Sequence, residues 1–181
     1  MTCIVAIKHK GKIYMGGDSA GCYPGTDRLV SLKTPKLFRN GEFLIGIENS
    51  LRMGQLLNFS FCPPKRPSKM SKDKFMSTSF MDAVRQCFRK GGYQSKNDEQ
   101  EIGGNFIVGY QGNIYLAEGD YNIHTRRDSY ATIGSGSEVA LGALYVNQNH
   151  YDDPELRIRE ALSAAEKFNL TVRRPFIIKS I

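Results

Sequence analysis

A chain of 181 residues fits one domain, residues 1–181, with room for a sizeable core. Its 40% hydrophobic and 24% charged residues mark a globular rather than a disordered chain, and no apolar run approaches the roughly 20 residues of a membrane-crossing helix. A net charge of +7 raises nucleic acid as a partner, but no RNP-like aromatic motif, zinc finger or helix-turn-helix accompanies it, so nucleic acid is not the expected ligand.

The chain opens MTCIVAIKHKGK, apolar before basic, the reverse of a secretory signal, so the expected compartment is the cytoplasm. Cys3, Cys22, Cys62 and Cys87 are scattered, without a CxxC pair or histidines at zinc-ligand spacing, and read as free thiols.

Residues 2–8 put Ile4 and Ala6 on one face of a strand and Val5 and Ile7 on the other, which suits a strand buried between two layers. Lys10-Gly11 turns the chain into a second strand, 12–18, and Asn40-Gly41 links another pair, PKLFR and EFLIGI. From Asn49, the expected N-cap, Leu51, Met53, Leu56 and Leu57 recur on one side of a helix. A Pro- and Lys-rich loop follows, with Lys65, Arg66, Lys69, Lys72 and Lys74 reading as a solvated or docking face. A helix from about Ser71 to Lys90 carries Phe80, Val84, Cys87 and Phe88 inward, with Arg85, Arg89 and Lys90 adding charge, and Gly91-Gly92 closes it. Lys96 lies beyond, and the acidic Asp98, Glu99 and Glu101 follow.

Strands return at NFIVGY, at IYLAE beyond a Gln111–Asn113 turn, and at YATIGSG. Two helices come next, Ser137 to about Asn147 and Pro154 to about Phe168. The second has Asp153 as N-cap and Leu156, Ala161, Leu162 and Ala165 pointing inward. A final apolar strand, PFIIKSI, ends the chain. Strands grouped between pairs of helices, without βαβ alternation, predict an α+β fold with two antiparallel sheets covered by helices.

Four motifs carry chemistry: Thr2-Cys3-Ile4-Val5-Ala6, Gly16-Gly17-Asp18-Ser19, Lys36-Leu37-Phe38 and Gly134-Ser135-Gly136-Ser137. Singly, each has an ordinary reading as a strand, a turn or a loop before a helix. Together and in this order they resemble the proteasome β-subunit and the HslV peptidase, a resemblance that spans nearly the whole chain. It implies a four-layer αββα sandwich of the N-terminal-nucleophile hydrolases. It also implies a threonine peptidase without metal or cofactor, a homo-oligomeric ring, an unfolded polypeptide as substrate and an ATP-driven unfoldase as feeder.

Position by position, the resemblance assigns the nucleophile to Thr2, an orienting carboxylate to Asp18, the lysine to Lys36 and a proton-relaying hydroxyl to Ser135. A threonine hydroxyl needs a base, and a first-residue threonine has one in its own α-amine once Met1 is removed. An ammonium beside that amine favours its neutral form. Lys33 competes with Lys36 by position, but KLFR, a turn and EFLIGI match the family's spacing from Lys36, and Lys33 reads as exposed.

The family's oxyanion amide falls on Ser50, within Ile47-Glu48-Asn49-Ser50, and its supporting Asp and Ser fall on Asn169 and Val172. The stretch between Asp18 and Lys36 is longer than in the family. His9, His124 and His150 fit no catalytic pattern. Two other readings stay open: an amidase for small amides on the same fold, and a catalytically silent ring or scaffold subunit.

Overall fold

The computed structural model describes residues 2–22, 28–97 and 100–181. Met1 and the charges of Asp98 and Glu99 lie outside the described residues, as does the side chain of Cys22. Strands β1 (Ile4–His9) and β2 (Lys12–Gly17) form the first hairpin, with Lys10 and Gly11 at φ +47° and +80° in its two-residue turn. A small hairpin of β3 (Ala20–Cys22) and β4 (Leu29–Ser31) follows. Next come β5 (Leu37–Asn40) and β6 (Phe43–Ile47).

Helix α1 (Leu51–Gln55) runs on through a π-helical turn, Leu56–Ser60. Helices α2 (Lys72–Phe75) and α3 (Met81–Lys90) are joined by another, Met76–Phe80, so the predicted 71–90 helix is present with one wide turn inside it. The rest runs β7 (Ser95–Asn97), β8 (Gln100–Ile102), β9 (Phe106–Tyr110), β10 (Asn113–Ala117), β11 (Ile123–His124) and β12 (Tyr130–Ile133). Helices α4 (Ser137–Asn147) and α5 (Pro154–Phe168) and strand β13 (Ile177–Ser180) complete the chain.

Two antiparallel sheets, ordered β12-β1-β2-β13 and β11-β10-β9-β6-β5, face each other. Strand alternation sorts their side chains into three apolar layers. Ile4 and Ala6 of β1, Leu44 of β6 and Ile107 of β9 meet between the sheets. Cys3, Val5 and Ile7 turn the other way, onto Ala140 and Leu144 of α4 and Ile158, Leu162 and Ala165 of α5. Phe43, Ile45, Phe106 and Val108 pack outward on Met53, Leu56, Phe80, Val84 and Phe88 of the α1–α3 layer. The result is the expected αββα sandwich. Gly16 brings α5 onto β2, since a Cβ there would stand 2.3 Å from Ile158.

Several local expectations shift. The β5–β6 turn centres on Gly41-Glu42 rather than Asn40-Gly41, because Asn40 pairs with Phe43 in the ladder. The Asn40 amide donates instead to the Leu57 and Phe61 carbonyls, both at 2.9 Å, tying the sheet to the π-helical turn and its exit. Ser50, not Asn49, caps α1, its hydroxyl accepting from the Met53 amide. Leu51 and Leu156 face solvent at 37% and 39% exposure, while Ile158 fills the core beside α5. The short strands β3, β4, β7, β8 and β11 are not predicted by the sequence pattern. Lacking long apolar alternation, they are legible only as hairpins in three dimensions.

Candidate active site

Thr2 lies at the head of β1, where the two neighbouring strands deliver two of the other motifs and the facing sheet delivers the third. Ile4 pairs with Ile133 on one side and Gly17 on the other, so Gly134-Ser135-Gly136 and Asp18 arrive beside residues 2 and 3. The Gly136 amide donates to the Thr2 carbonyl at 3.2 Å, and the Thr2 nitrogen donates to Ser135 Oγ at 3.2 Å. Gly134 has φ +98°, and a Cβ there would stand 2.2 Å from the Thr2 carbonyl oxygen, so only glycine fits. Thr2 itself is 2% exposed.

Asp18 accepts four hydrogen bonds from three groups. Its Oδ1 accepts from the Cys3 amide and its Oδ2 from the Ala20 amide, both at 2.9 Å. Lys36 Nζ donates to Oδ1 and Oδ2 at 2.9 and 3.0 Å. Lys36 stands just before β5, where its carbonyl accepts from the Ile47 amide, and this backbone bond sets where the side chain enters. Lys33 is exposed, as expected. Burial pushes the Lys36 ammonium pKa down from its ordinary value, against the opposing pull of the Asp18 carboxylate. The Cys3 thiol, buried and then disfavoured further by Asp18, is pushed up to about 12 and stays protonated.

Thr2, Lys36 and Ser50 line one cavity of about 100 Å³, whose remaining walls include Ala20, Leu32 and Ile47. A wider cleft of about 520 Å³ opens beside Gly134 and Ser137, with Glu48 and Glu118 on its rim. Another cavity, about 350 Å³ beside Lys8, Asn113 and Arg126, lies away from Thr2 and holds none of these groups. The Ser50 amide, matched to the oxyanion donor, bonds the Glu48 carbonyl at 2.7 Å around Asn49, which takes φ +61°.

The supporting residues are rearranged. Asn169, at the C-cap of α5, donates from Nδ2 to the Ser135 carbonyl at 2.8 Å. Val172 is fully buried against α4 and α5, so the position matched to a serine belongs to the core. The hydroxyl comes one residue earlier. Thr171 Oγ1 lies 3.0 Å from Ser135 Oγ and donates to Asn169 Oδ1 at 2.7 Å. The signal for it was Asn169-Leu170-Thr171, since an Asn side chain commonly bonds the backbone and hydroxyl two residues on.

The histidines stand elsewhere: His9 is 3.6 Å from Asp152, His124 is 3.8 Å from Glu118, and the His150 ring neighbours Tyr151. Among the described residues, no group of His, Cys, Asp and Glu could hold a metal, and no helix is long and apolar enough to cross a membrane.

The sheet order and the helix layers are those of the proteasome β-subunit and HslV-like fold, seen in N-terminal-nucleophile hydrolases. Solved structures share it nearly end to end. Thiobacillus denitrificans BPH, solved in complex with epoxomicin, superposes with a TM-score of 0.80 at 17% identity, covering 99% of this chain and 98% of that one. HslV from Trypanosoma brucei gives 0.68 at 17% identity, covering 99% and 98%. Anbu from Yersinia bercovieri gives 0.64 at 15% identity, covering 99% and 81%. No protein-family model matches the sequence, and no curated protein matches it. The likeness is therefore one of fold.

Proposed function

We propose that this chain is a threonine peptidase whose nucleophile is the Thr2 hydroxyl, acting once whatever precedes Thr2 has been removed. One observation carries the reading: Thr2 and Lys36 line a single cavity, with Asp18 paired to Lys36 and Ser135 bonded to the Thr2 nitrogen, although the four come from separate motifs. The freed α-amine takes the hydroxyl proton as Oγ1 attacks a peptide carbonyl carbon. The Lys36 ammonium favours the neutral, basic form of that amine, and Asp18 keeps the ammonium in place. The developing oxyanion takes the Ser50 amide in exchange for the Glu48 carbonyl. The C–N bond then breaks, the leaving amine receives the proton, and water cleaves the resulting ester to regenerate Thr2.

The HslV-like fold of the neighbours supports a homo-oligomeric ring that encloses its sites. Its substrate is unfolded polypeptide, delivered by an ATP-driven unfoldase. The narrowness of the cavity beside Thr2 favours a second substrate for the same chemistry, a small amide.

Intact mass before and after epoxomicin tests the reading. The expected result is a chain beginning at Thr2 that gains one inhibitor mass, with no gain in Thr2→Ala. A chain that begins at Thr2 and stays unlabelled overturns it. Turnover of small amides but not peptides selects the second substrate. Light scattering should find a ring, and a stable monomer at micromolar concentration counts against the assembly.

A further inference from the structure

The hydrogen bonds behind Ser135 have a direction fixed at their far end, by Asn169. Two backbone groups orient the Asn169 amide: the Ser135 carbonyl requires an N–H donor, and the Thr171 amide requires an acceptor. Nδ2 therefore faces residue 135 and Oδ1 faces residue 171. Oδ1 has no proton, so the Thr171 hydroxyl must donate to it at 2.7 Å. That uses the only proton on Thr171 Oγ1. In the 3.0 Å contact between the two hydroxyls, Ser135 is then the donor and Thr171 the acceptor. The Ser135 proton is thereby drawn away from its longer alternative, the Thr2 carbonyl at 3.3 Å. Ser135 Oγ is left to accept from the Thr2 nitrogen at 3.2 Å.

We infer that Thr171 and Asn169 are positioning residues, forming with Ser135 an uncharged one-way relay that orients the Thr2 α-amine without placing a carboxylate behind it. The inference rests on the proposed role of Thr2 and adds to it the pH range of the base. A carboxylate at position 169 would favour the ammonium form of the amine; an amide does not. The amine therefore stays neutral, and basic, to lower pH than a carboxylate-backed amine would.

The other charged groups around Thr2 leave this contrast intact. The Lys36–Asp18 pair acts on the amine equally whichever residue stands at 169, and the Cys3 thiol is protonated. From the α5 side, Arg173 donates to the carbonyls of Glu166, Asn169 and Val172, while Glu166 pairs with Arg174. Ahead of α1, Glu48 accepts from the Asn49 side chain. Residue 169 thus decides whether the relay ends in a charge.

The test uses the full chain beginning at Thr2, labelled with ¹³C-threonine, with the Thr2 Cα and Cβ shifts followed against pH. Asn169→Asp should raise the amine midpoint by about half a unit or more, the partial exposure of the turn screening the new charge. The acid limb of kcat/KM should move up by the same amount. Thr171→Val should lower kcat about 10-fold or more with KM unchanged, part of the roughly 10²–10⁴-fold that a positioned base supplies, and Thr171→Ser should restore it.

A midpoint that does not move in folded Asn169→Asp overturns the relay, as do equal losses in Thr171→Val and Thr171→Ser. If Asn169→Asp does not fold, the Thr171 pair decides. A midpoint that moves in a protein without hydrolytic activity upholds the relay and sinks the peptidase reading instead.

Discussion

The Lys36 ammonium and the Asp18 carboxylate satisfy each other out of water, with side chains only 4% and 0% exposed. Neither group can be removed without stranding the other. Lys36→Ala should therefore cost about 3–5 kcal/mol, because it leaves the Asp18 charge uncompensated. Exposed Lys33→Ala should stay within about 0.5 kcal/mol. The double variant Asp18→Asn, Lys36→Met should recover stability and not hydrolysis. Urea unfolding and a peptidase assay on the same samples check both halves, and full hydrolysis in the double variant would remove Lys36 from the mechanism.

Gly134→Ala should damage the site from behind. The new Cβ would collide with the Thr2 carbonyl, which is backbone and cannot rotate aside, and alanine would also have to adopt φ +98°. Each effect alone costs about 1–3 kcal/mol. The expected result is a loss of about 2 kcal/mol or more in stability together with loss of inhibitor labelling at Thr2. Wild-type labelling would show that the GSG segment does not set the position of Thr2.

Much of this arrangement was legible in the residues. The double apolar face of Ile4 to Ile7 can only belong to a strand between two layers, and it does. Thr2, Asp18 and Lys36 were legible through the resemblance their motifs carry; in the fold, pairing of β1 with β2 and packing of β5 from the facing sheet bring the three positions together. What escaped depends on loop geometry. The hydroxyl beside Ser135 comes from Thr171, because Val172 is drawn into the core beneath α4 and α5. Ser50 caps α1 because Asn49 takes a left-handed backbone, a choice that spacing alone cannot reveal. Asn40 looked like a turn residue, yet its amide bonds carbonyls on the π-helical turn and at its exit, contacts that exist only after the layers pack.

The thiols should separate by burial. Cys62 is exposed and Cys87 half-buried, while Cys3 is fully enclosed with its pKa pushed to about 12. All three are unpaired. Under native conditions near pH 8, Cys62 should react fastest with a disulfide reagent, and Cys3 only on unfolding. The raised folded-state pKa also has a stability consequence. Its contribution is full below the ordinary thiol value of 9.0 and is lost as pH rises toward about 12, because the unfolded thiol ionises first. Thermal melts should therefore fall less steeply across that window in Cys3→Ala than in the wild type. Identical slopes would mean that the thiol ionises freely in the folded state.

Substitutions at Thr2 separate an enzyme from a silent subunit. If the α-amine is the base, the reaction needs a hydroxyl and a free amine on the same residue. Thr2→Ala should abolish turnover yet leave fold and assembly intact, since the backbone bonds of Thr2 to Ser135 and Gly136 do not involve the side chain. Thr2→Ser keeps the hydroxyl and loses only the methyl that restricts its rotamer, so it should retain partial activity. A form with an uncleavable segment ahead of Thr2 keeps the hydroxyl but converts the amine to an amide, and it should be as inactive as Thr2→Ala. General-base assistance is worth roughly 10²–10⁴-fold, which a peptidase assay resolves easily. Equal rates for the blocked and free forms would exclude the amine as base. Inactivity of every form, on peptides and small amides alike, would make the scaffold reading the better account of this chain.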